Sequence, residues 1–361
     1  MKVLFICTSI DRTLQKQILA LQKQGHHVDI LDILEYKLLF DSGKVIHIRP
    51  KTKYKMLENF FVLDEINETI RRKEIFDYLD RYDLVDIYKC SNYAVEFQNK
   101  ISKISFKYTV TIHDVFPEKS SKLDELLTNA KAIFFQNKRL QNSFNIQYGY
   151  KEKSIALYKP LELLEKYDNI EKDIYNKFLD FLKINKNKTN VFCHFNGMKH
   201  KQKELLLSLI NLPLEIKTKS TFLIYLANEE KNINNEIILT LQEYKLDYVL
   251  IQQDTTKEQL AMLLKVSSAS IFINHLPLNT TLLASIYAKN FVFIFKGANI
   301  DPFFKENKIF LDSFDDFLAF YDKDDISKNI YKEILKQNKH KIYSIFSYES
   351  FEKKFLEATL I

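Results

Sequence analysis

Short apolar runs alternate with stretches of helical period along nearly the whole chain. Val3 to Thr8 is an apolar run of the kind buried in a parallel sheet, and "DRTLQKQILALQKQG" then repeats Leu14, Ile18 and Leu21 at helical spacing before Gly25 stops the helix. "HHVDILDI" reads as the next strand, so the chain opens β-α-β. The alternation continues with a helix around Leu57 to Tyr82, a strand "LVDIYKC", a helix from Ala94 and a strand "YTVTI" that ends at His113-Asp114. A helix near Lys122 to Ala130, a strand "AIFFQN", a helix "KRLQNSFNIQYG" ended by Gly149 and a last strand "SIALYK" complete the series.

Between Pro160 and Asn190 the pattern changes to charged, helical sequence with no strand. A second β-α-β series follows. "NVFCHFNG" leads to "KQKELLLSLINL", "TFLIYLA" to "NNEIILTLQEY", "YVLIQQ" to "TKEQLAMLLKVS", and "ASIFIN" to a polar loop and helix, before strands "FVFIF" and "KIFLDS" and helices from Ile326 onward. The expected fold class is α/β, with two Rossmann-like doubly wound domains facing a cleft. The boundaries read as 1–165 for the first domain, 166–190 for a helical linker, 191–340 for the second domain and 341–361 for a final helix. Ligands of open parallel sheets bind beyond the carboxyl ends of the strands, so the strand-to-helix loops are where chemistry is sought.

Composition narrows the class. A chain of 361 residues with 46% apolar and 28% charged residues suits two folded domains and excludes a disordered protein. The net charge of +6 is too mild for a nucleic-acid-binding face. Cys7, Cys90 and Cys193 are far apart and odd in number, which suggests neither disulfides nor zinc and fits a reducing cytoplasm. The opening apolar run is cut short by Asp11 and Arg12, so it reads as a strand and not a signal peptide, and no run is long enough to span a membrane.

The order of several motifs resembles the GT-B glycosyltransferases, and within them glycosyltransferase family 4. "QGHHVDIL" is similar to that family's Gly-His-x-Val strand entry, "TIHDVFP" to its Thr-x-His-Asp-x-x-Pro loop, and "AKAIFFQNKRLQNSF" to the strand and helix before its linker. "FNGMKHKQKELLLSLINL" resembles its Gly-x-x-x-x-x-Lys loop and helix, "TTKEQLAMLLKVSSASIFIN" its helix and strand leading to the donor site, and "IFSYESFEKKFLE" the terminal helix that returns to the first domain. The pair of glutamates that the family carries around the donor loop is replaced by Pro277 and Ser285, and Met198 follows Gly197 where a basic residue is usual, with Lys199 one place later. The resemblance implies a nucleotide-sugar donor, retention of anomeric configuration and no cofactor.

Transfer of a sugar from such a donor needs cations and N–H dipoles around a departing diphosphate. Lys203 matches the donor-phosphate lysine and stands at the start of a helix, where a cation is favourable only beside an anion; a solvated surface lysine in "KHKQK" is the alternative. Asn279, Thr280 and Thr281 read as a helix cap that leaves N–H donors for an anion, behind Asn274 and His275 at the end of the preceding strand, with Ser285 at the ribose position. His113 suits either acceptance of the acceptor's proton or a hydrogen bond to the sugar; a purely structural histidine at a strand end is the alternative. No Asp-x-Asp pair or His/Cys cluster indicates a metal.

Lys44, Arg49, Lys51, Lys53 and Lys55 crowd together beside Tyr54, Met56, Phe60 and Phe61, a composition that suits the anionic inner face of a membrane as well as a solvated loop. The expected function is a glycosyltransferase acting on a glycan or lipid-linked acceptor in bacterial surface polysaccharide or glycoconjugate assembly. A non-catalytic glycosyltransferase-like subunit is the rival. An epimerase of nucleotide-sugars would need a carboxylate and histidine set that the sequence does not place.

Overall fold

A computed structural model describes residues 1–7, 9–32, 37–39, 41–43, 45–47, 79, 81–89, 107–113, 119–185, 187–195, 199–226, 231–244, 246–251, 255–273, 279–295, 302–322 and 325–360. The chain divides into two compact units: Met1–Pro160 with Tyr348–Ile361, and Leu161–Ser347.

The first unit holds an eight-stranded sheet, ordered β4-β3-β2-β1-β5-β6-β7-β8. Its strands are β1 (Lys2–Cys7), β2 (His27–Asp32), β3 (Lys37–Leu39), β4 (Val45–His47), β5 (Leu84–Tyr88), β6 (Lys107–Ile112), β7 (Ala132–Phe135) and β8 (Ser154–Ala156). Six of them are parallel, while β3 and β4 add an antiparallel hairpin at one edge. That hairpin was not expected; between its strands Gly43 takes φ +80°, a conformation that glycine adopts without a Cβ penalty.

The central strands β1, β5, β6 and β7 are buried on both faces, which explains their apolar runs. One face packs Leu4, Val85 and Val110 against Leu123, Leu126 and Leu127 of α2 (Ser121–Asn129) and Phe144 of α3 (Lys138–Tyr148). The other packs Val3, Phe5 and Phe134 against Leu14 and Leu21 of α1 (Arg12–Lys23). The last helix of the chain joins that second face, as described below.

In the second unit, α4 (Glu162–Asp168) and α5 (Lys172–Phe181) precede a six-stranded parallel sheet ordered β11-β10-β9-β12-β13-β14. Its strands are β9 (Thr189–Phe195), β10 (Ser220–Leu226), β11 (Tyr248–Ile251), β12 (Ala269–Phe272), β13 (Phe291–Ile294) and β14 (Asp312–Ser313). The helices that follow α5 are α6 (Lys199–Ile210), α7 (Leu214–Lys219), α8 (Lys231–Glu243), α9 (Lys257–Val266), α10 (Thr280–Tyr287), α11 (Pro302–Glu306), α12 (Phe317–Asp322) and α13 (Asp325–Phe346). Leu205 and Leu209 of α6 and Leu241 of α8 cover one face; Leu179 of α5, Leu263 and Leu264 of α9 and Ala284 of α10 cover the other. The charged stretch after Pro160 therefore supplies core residues to the second unit.

Two expectations change. "KIFLDS" is strand only at Asp312–Ser313; Lys308 adopts φ +52°, and the Phe310 N–H and carbonyl are bonded to the Asn338 side chain and not to a neighbouring strand. α7, α11 and α12 are additional short helices of five or six residues each, below the length at which helical period can be read from sequence. The expected helices around 57–82 and from Ala94 lie outside the described residues.

The final helix, α14 (Tyr348–Leu360), sets Phe351 and Phe355 into the core of the first unit, where Phe355 meets Phe134 at 5.6 Å between ring centres. Lys131 donates to the Thr359 carbonyl at 2.9 Å and Lys23 pairs with Glu352 at 3.7 Å, fixing both ends of that helix.

Candidate functional site

In the first unit the carboxyl ends of four adjacent strands carry one connected polar set. Beyond β1, Asp11 caps α1: its Oδ1 accepts from the Thr13 and Leu14 N–H groups at 3.0 Å each. Tyr88, the last residue of β5, donates its hydroxyl to the same oxygen at 2.7 Å. Lys89 adopts φ 58°, and its ammonium lies 3.0 Å from Asp11 Oδ2 and donates to Ser9 Oγ at 3.0 Å. Burial pushes the Asp11 carboxyl up, but the Leu14 N–H, the Tyr88 hydroxyl and the Lys89 ammonium overcome it and hold the group down at about 2. Burial and the adjacent Asp11 keep the Tyr88 phenol protonated far above neutral pH.

His113 follows β6 at the same edge and is 9% exposed. Its ring stands edge-on to Tyr88, with centres 4.8 Å apart and planes at 73°. The Gln136 amide, from the end of β7, meets His113 Nδ1. The structure thus gathers Ser9, Asp11, Tyr88, Lys89, His113 and Gln136 into one chain of contacts. Of these, sequence reasoning singled out only His113. The signal for the others was their position: each lies within a few residues of a parallel strand's carboxyl end.

Below this set, Asp86 lies inside the sheet and accepts from Thr109 and from Thr111, the latter at 3.2 Å. Burial raises its carboxyl to about 7 against the pull of the two hydroxyls.

In the second unit, α10 is capped by Asn279, whose Oδ1 accepts from the Thr281 and Leu282 N–H groups at 2.8 and 3.2 Å. The cap thus uses two of the donors at the helix tip; Thr280 is exposed there, with no hydrogen bond to its N–H among the described residues. Thr281 is 7% exposed. Ser285 is fully buried and donates to the Thr281 carbonyl at 2.9 Å, so its hydroxyl serves the helix. Asn274, His275 and Pro277 lie outside the described residues, as do Gly197 and Met198.

Lys199 begins α6. Lys203 lies one turn further on, on the exposed side of the helix opposite Leu205 and Leu209. At the root of this helix Gln202 is 1% exposed and donates to the Phe195 carbonyl at 3.2 Å, tying α6 to β9. At the end of β9, His194 lies across from Tyr225 of β10 and Phe272 of β12, 5.4 and 5.3 Å between ring centres. Burial pushes the His194 imidazole down to about 4, so it is neutral under ordinary conditions. These three rings were not singled out from sequence because an apolar strand conceals which of its side chains align across neighbours.

Among the described residues no group of three His, Cys, Asp or Glu side chains is placed to hold a metal ion, and no helix is long and apolar enough to cross a membrane. Lys44, Arg49, Lys51, Lys53 and Lys55 lie outside the described residues.

The architecture has solved counterparts over its whole length. A glycosyltransferase from Rickettsia africae matches at 12% identity with a TM-score of 0.60, covering 99% of this chain and 98% of that one. A UDP-GlcNAc 2-epimerase from Neisseria meningitidis, solved with UDP-GlcNAc, matches at 14% identity and a TM-score of 0.60 with both chains covered in full. Anabaena HepE, solved with UDP, matches at 13% identity and a TM-score of 0.57 over 99% of each chain. No protein-family model and no curated protein sequence matches the chain. Two Rossmann-like units in one chain, with these counterparts, define a GT-B fold; at such identities the likeness carries the fold and not the substrate.

Proposed function

We propose that the protein is a glycosyltransferase that moves a sugar from a nucleotide-sugar to a glycan or lipid-linked acceptor in bacterial surface polysaccharide or glycoconjugate assembly. The observation that carries this reading is the whole-chain likeness to structures solved with UDP, UDP-glucose and UDP-GlcNAc, at TM-scores of 0.57, 0.51 and 0.60. The second unit supports it with an exposed helix tip at Thr280 and an exposed Lys203, a cation and N–H donors of the kind a diphosphate needs. In this reading Lys199, Lys203, Asn274, His275, Asn279, Thr280 and Thr281 face the donor, His113 faces the transferred sugar or acceptor, and transfer proceeds with retention and without a metal. In this reading the sequence motifs resemble those of glycosyltransferase family 4. The basic segment from Lys44 to Lys55 would hold the protein at the inner face of a membrane, near a lipid-linked acceptor.

The second reading is a non-catalytic subunit of the same fold. Ser285 favours it: where family 4 carries a glutamate, this chain has a sealed hydroxyl bonded to its own helix. Nucleotide binding separates the two. UDP, GDP, CMP and ADP at millimolar concentration are expected to include one that raises the melting temperature, and a flat response to all four would leave only the subunit. With the binding nucleotide in hand, Lys203→Ala is expected to weaken it by about one to two orders of magnitude, the value of a charge-assisted hydrogen bond. An unchanged Kd by calorimetry would remove Lys203 from the site. A hydrolysis screen across nucleotide-sugars, with products separated by chromatography, then distinguishes transfer from epimerisation.

A further inference from the structure

We propose that Lys265, Lys289 and Lys339, set among Tyr167, Tyr175 and Tyr343 on the helices of the second unit, form a secondary binding surface for an acidic saccharide chain, one that carries carboxylates on successive sugars. This surface is independent of the function proposed above.

Five helices bring the residues together. Tyr167 belongs to α4, Tyr175 to α5, Lys265 to the last turn of α9, and Lys339 and Tyr343 to successive turns of α13, while Lys289 follows α10 with φ 64°. Because α9 and α10 lead into the starts of β12 and β13, Lys265 and Lys289 stand at the edge of the second sheet opposite its carboxyl ends. Lys199 and Thr280, which follow β9 and β12, are at the other edge.

Rings and ammoniums interlock. The Lys265 ammonium lies 5.5 Å from the ring centre of Tyr167 and 5.7 Å from that of Tyr175, and the Lys339 ammonium lies 5.5 Å from Tyr167 and 4.2 Å from Tyr287. Two cations thus share one ring. Tyr287 in turn stacks on Tyr343 at 6.2 Å, and Tyr343 is 37% exposed.

The charge of the patch is unbalanced. The neighbouring Lys166 and Lys257 pair with Glu258 and Glu162, whereas Lys265, Lys289 and Lys339 make no ion pair among the described residues. Asp168 is close by, but its Oδ2 already accepts from the Tyr287 hydroxyl at 2.7 Å. Burial pushes the Lys339 ammonium down from its ordinary value, and Lys289 and Lys265 push it the same way against the pull of Asp168. The carboxyl ends of α9 and α10 each favour a cation, which accounts for Lys265 and Lys289. It does not account for Lys339, which rises from well inside α13. A third ammonium held beside two others is favourable where an anion joins them. Cations spread around several rings suit carboxylates spread along a chain better than one compact phosphate. Tyr167, Tyr175 and Tyr343 are all partly exposed, and a pyranose lays its flat C–H face on such a ring.

The test is calorimetric titration of the full chain, without nucleotide, by tetragalacturonate, by the neutral maltotetraose and by inorganic pyrophosphate. Tetragalacturonate is expected to bind, less tightly as salt is added, and the other two to bind about tenfold more weakly or not at all. Lys265→Glu and Lys289→Glu reverse charges at exposed positions, and each is expected to raise the tetragalacturonate Kd about tenfold. Lys339→Gln is expected to weaken binding too; should it unfold, the two exposed variants decide. Lys203→Ala is expected to leave this Kd unchanged. No heat from tetragalacturonate, a Kd that neither exposed variant alters, or an equal loss in Lys203→Ala overturns the proposal. So does maltotetraose or pyrophosphate binding as tightly as tetragalacturonate, since the first would show the charges idle and the second the rings. Failure of the nucleotide screen removes the glycosyltransferase reading and leaves these titrations to decide this one.

Discussion

Asp86 is 1% exposed in the middle of β5, held by two threonine hydroxyls and no cation among the described residues. Its carboxyl titrates at about 7 in the folded protein, against about 3.9 in an unfolded chain. The folded state therefore binds the proton more tightly. Its contribution to stability is complete below about pH 4 and is lost as pH rises through about 7, because an unfolded chain ionises at no cost while the native one must charge a buried group. Asp86→Asn keeps the shape and cannot ionise. Urea denaturation is expected to show wild type and variant closest near pH 4, with the variant gaining steadily up to pH 7 and by a constant amount above it. A difference that does not change with pH would mean that Asp86 is not the titrating group. The same residue shows what sequence reveals at this scale. His113 was singled out because it ends a strand within a loop that resembles a family motif, whereas Asp86 sits inside "LVDIYKC", which reads as a plain strand. Gln136 and Asp11 were hidden for the opposite reason: polar residues in loops are common, and only the alignment of strand ends shows which of them meet.

At the level of elements, the strands and their helices were read well because burial on both faces writes an unbroken apolar run and amphipathic helices write their period. The β3–β4 hairpin was missed although "DSGK" carries a turn glycine, since its strands are three residues each and offer little alternation to detect. The cap of α10 and the proposed anion site were both read from Asn279, and only the cap is tested by the structure. The two share one side chain, so stability and binding must be separated by experiment. Asn279→Ala is expected to cost about 1 kcal/mol of stability through the lost cap. Asn279→Asp is the sharper variant, because a carboxylate caps as well as an amide and suits the helix dipole, yet repels a diphosphate. Thermal denaturation of Asn279→Asp is expected to match or exceed wild type, while nucleotide Kd rises tenfold or more. Equal nucleotide affinity in the two proteins would place the diphosphate elsewhere.

At the level of the whole molecule, the two units differ in how the chain builds them. The second is one continuous segment, Leu161–Ser347, whereas the first needs Tyr348–Ile361 in addition to Met1–Pro160. Phe351 and Phe355 are 1% and 0% exposed in its core, so the apolar face of β1, β5 and β7, covered in part by α1, is completed only by Tyr348–Leu360. Closing that face joins segments separated by the entire second unit, a loop whose entropic cost is reduced once the second unit is folded and compact. The second unit is therefore expected to fold first, with α14 completing the first. Phe355→Ala tests the asymmetry. Removing this fully buried ring is expected to destabilise the first unit by about 3–5 kcal/mol, through lost transfer energy and the cavity left against Phe134. Because the described residues that line that core all belong to the first unit, hydrogen exchange should accelerate in β1, β5 and β7 and remain slow in β9, β10 and β12. Acceleration of equal size in both sheets would show instead that the units unfold as one, and that the stability of the second depends on the last helix as much as the first does.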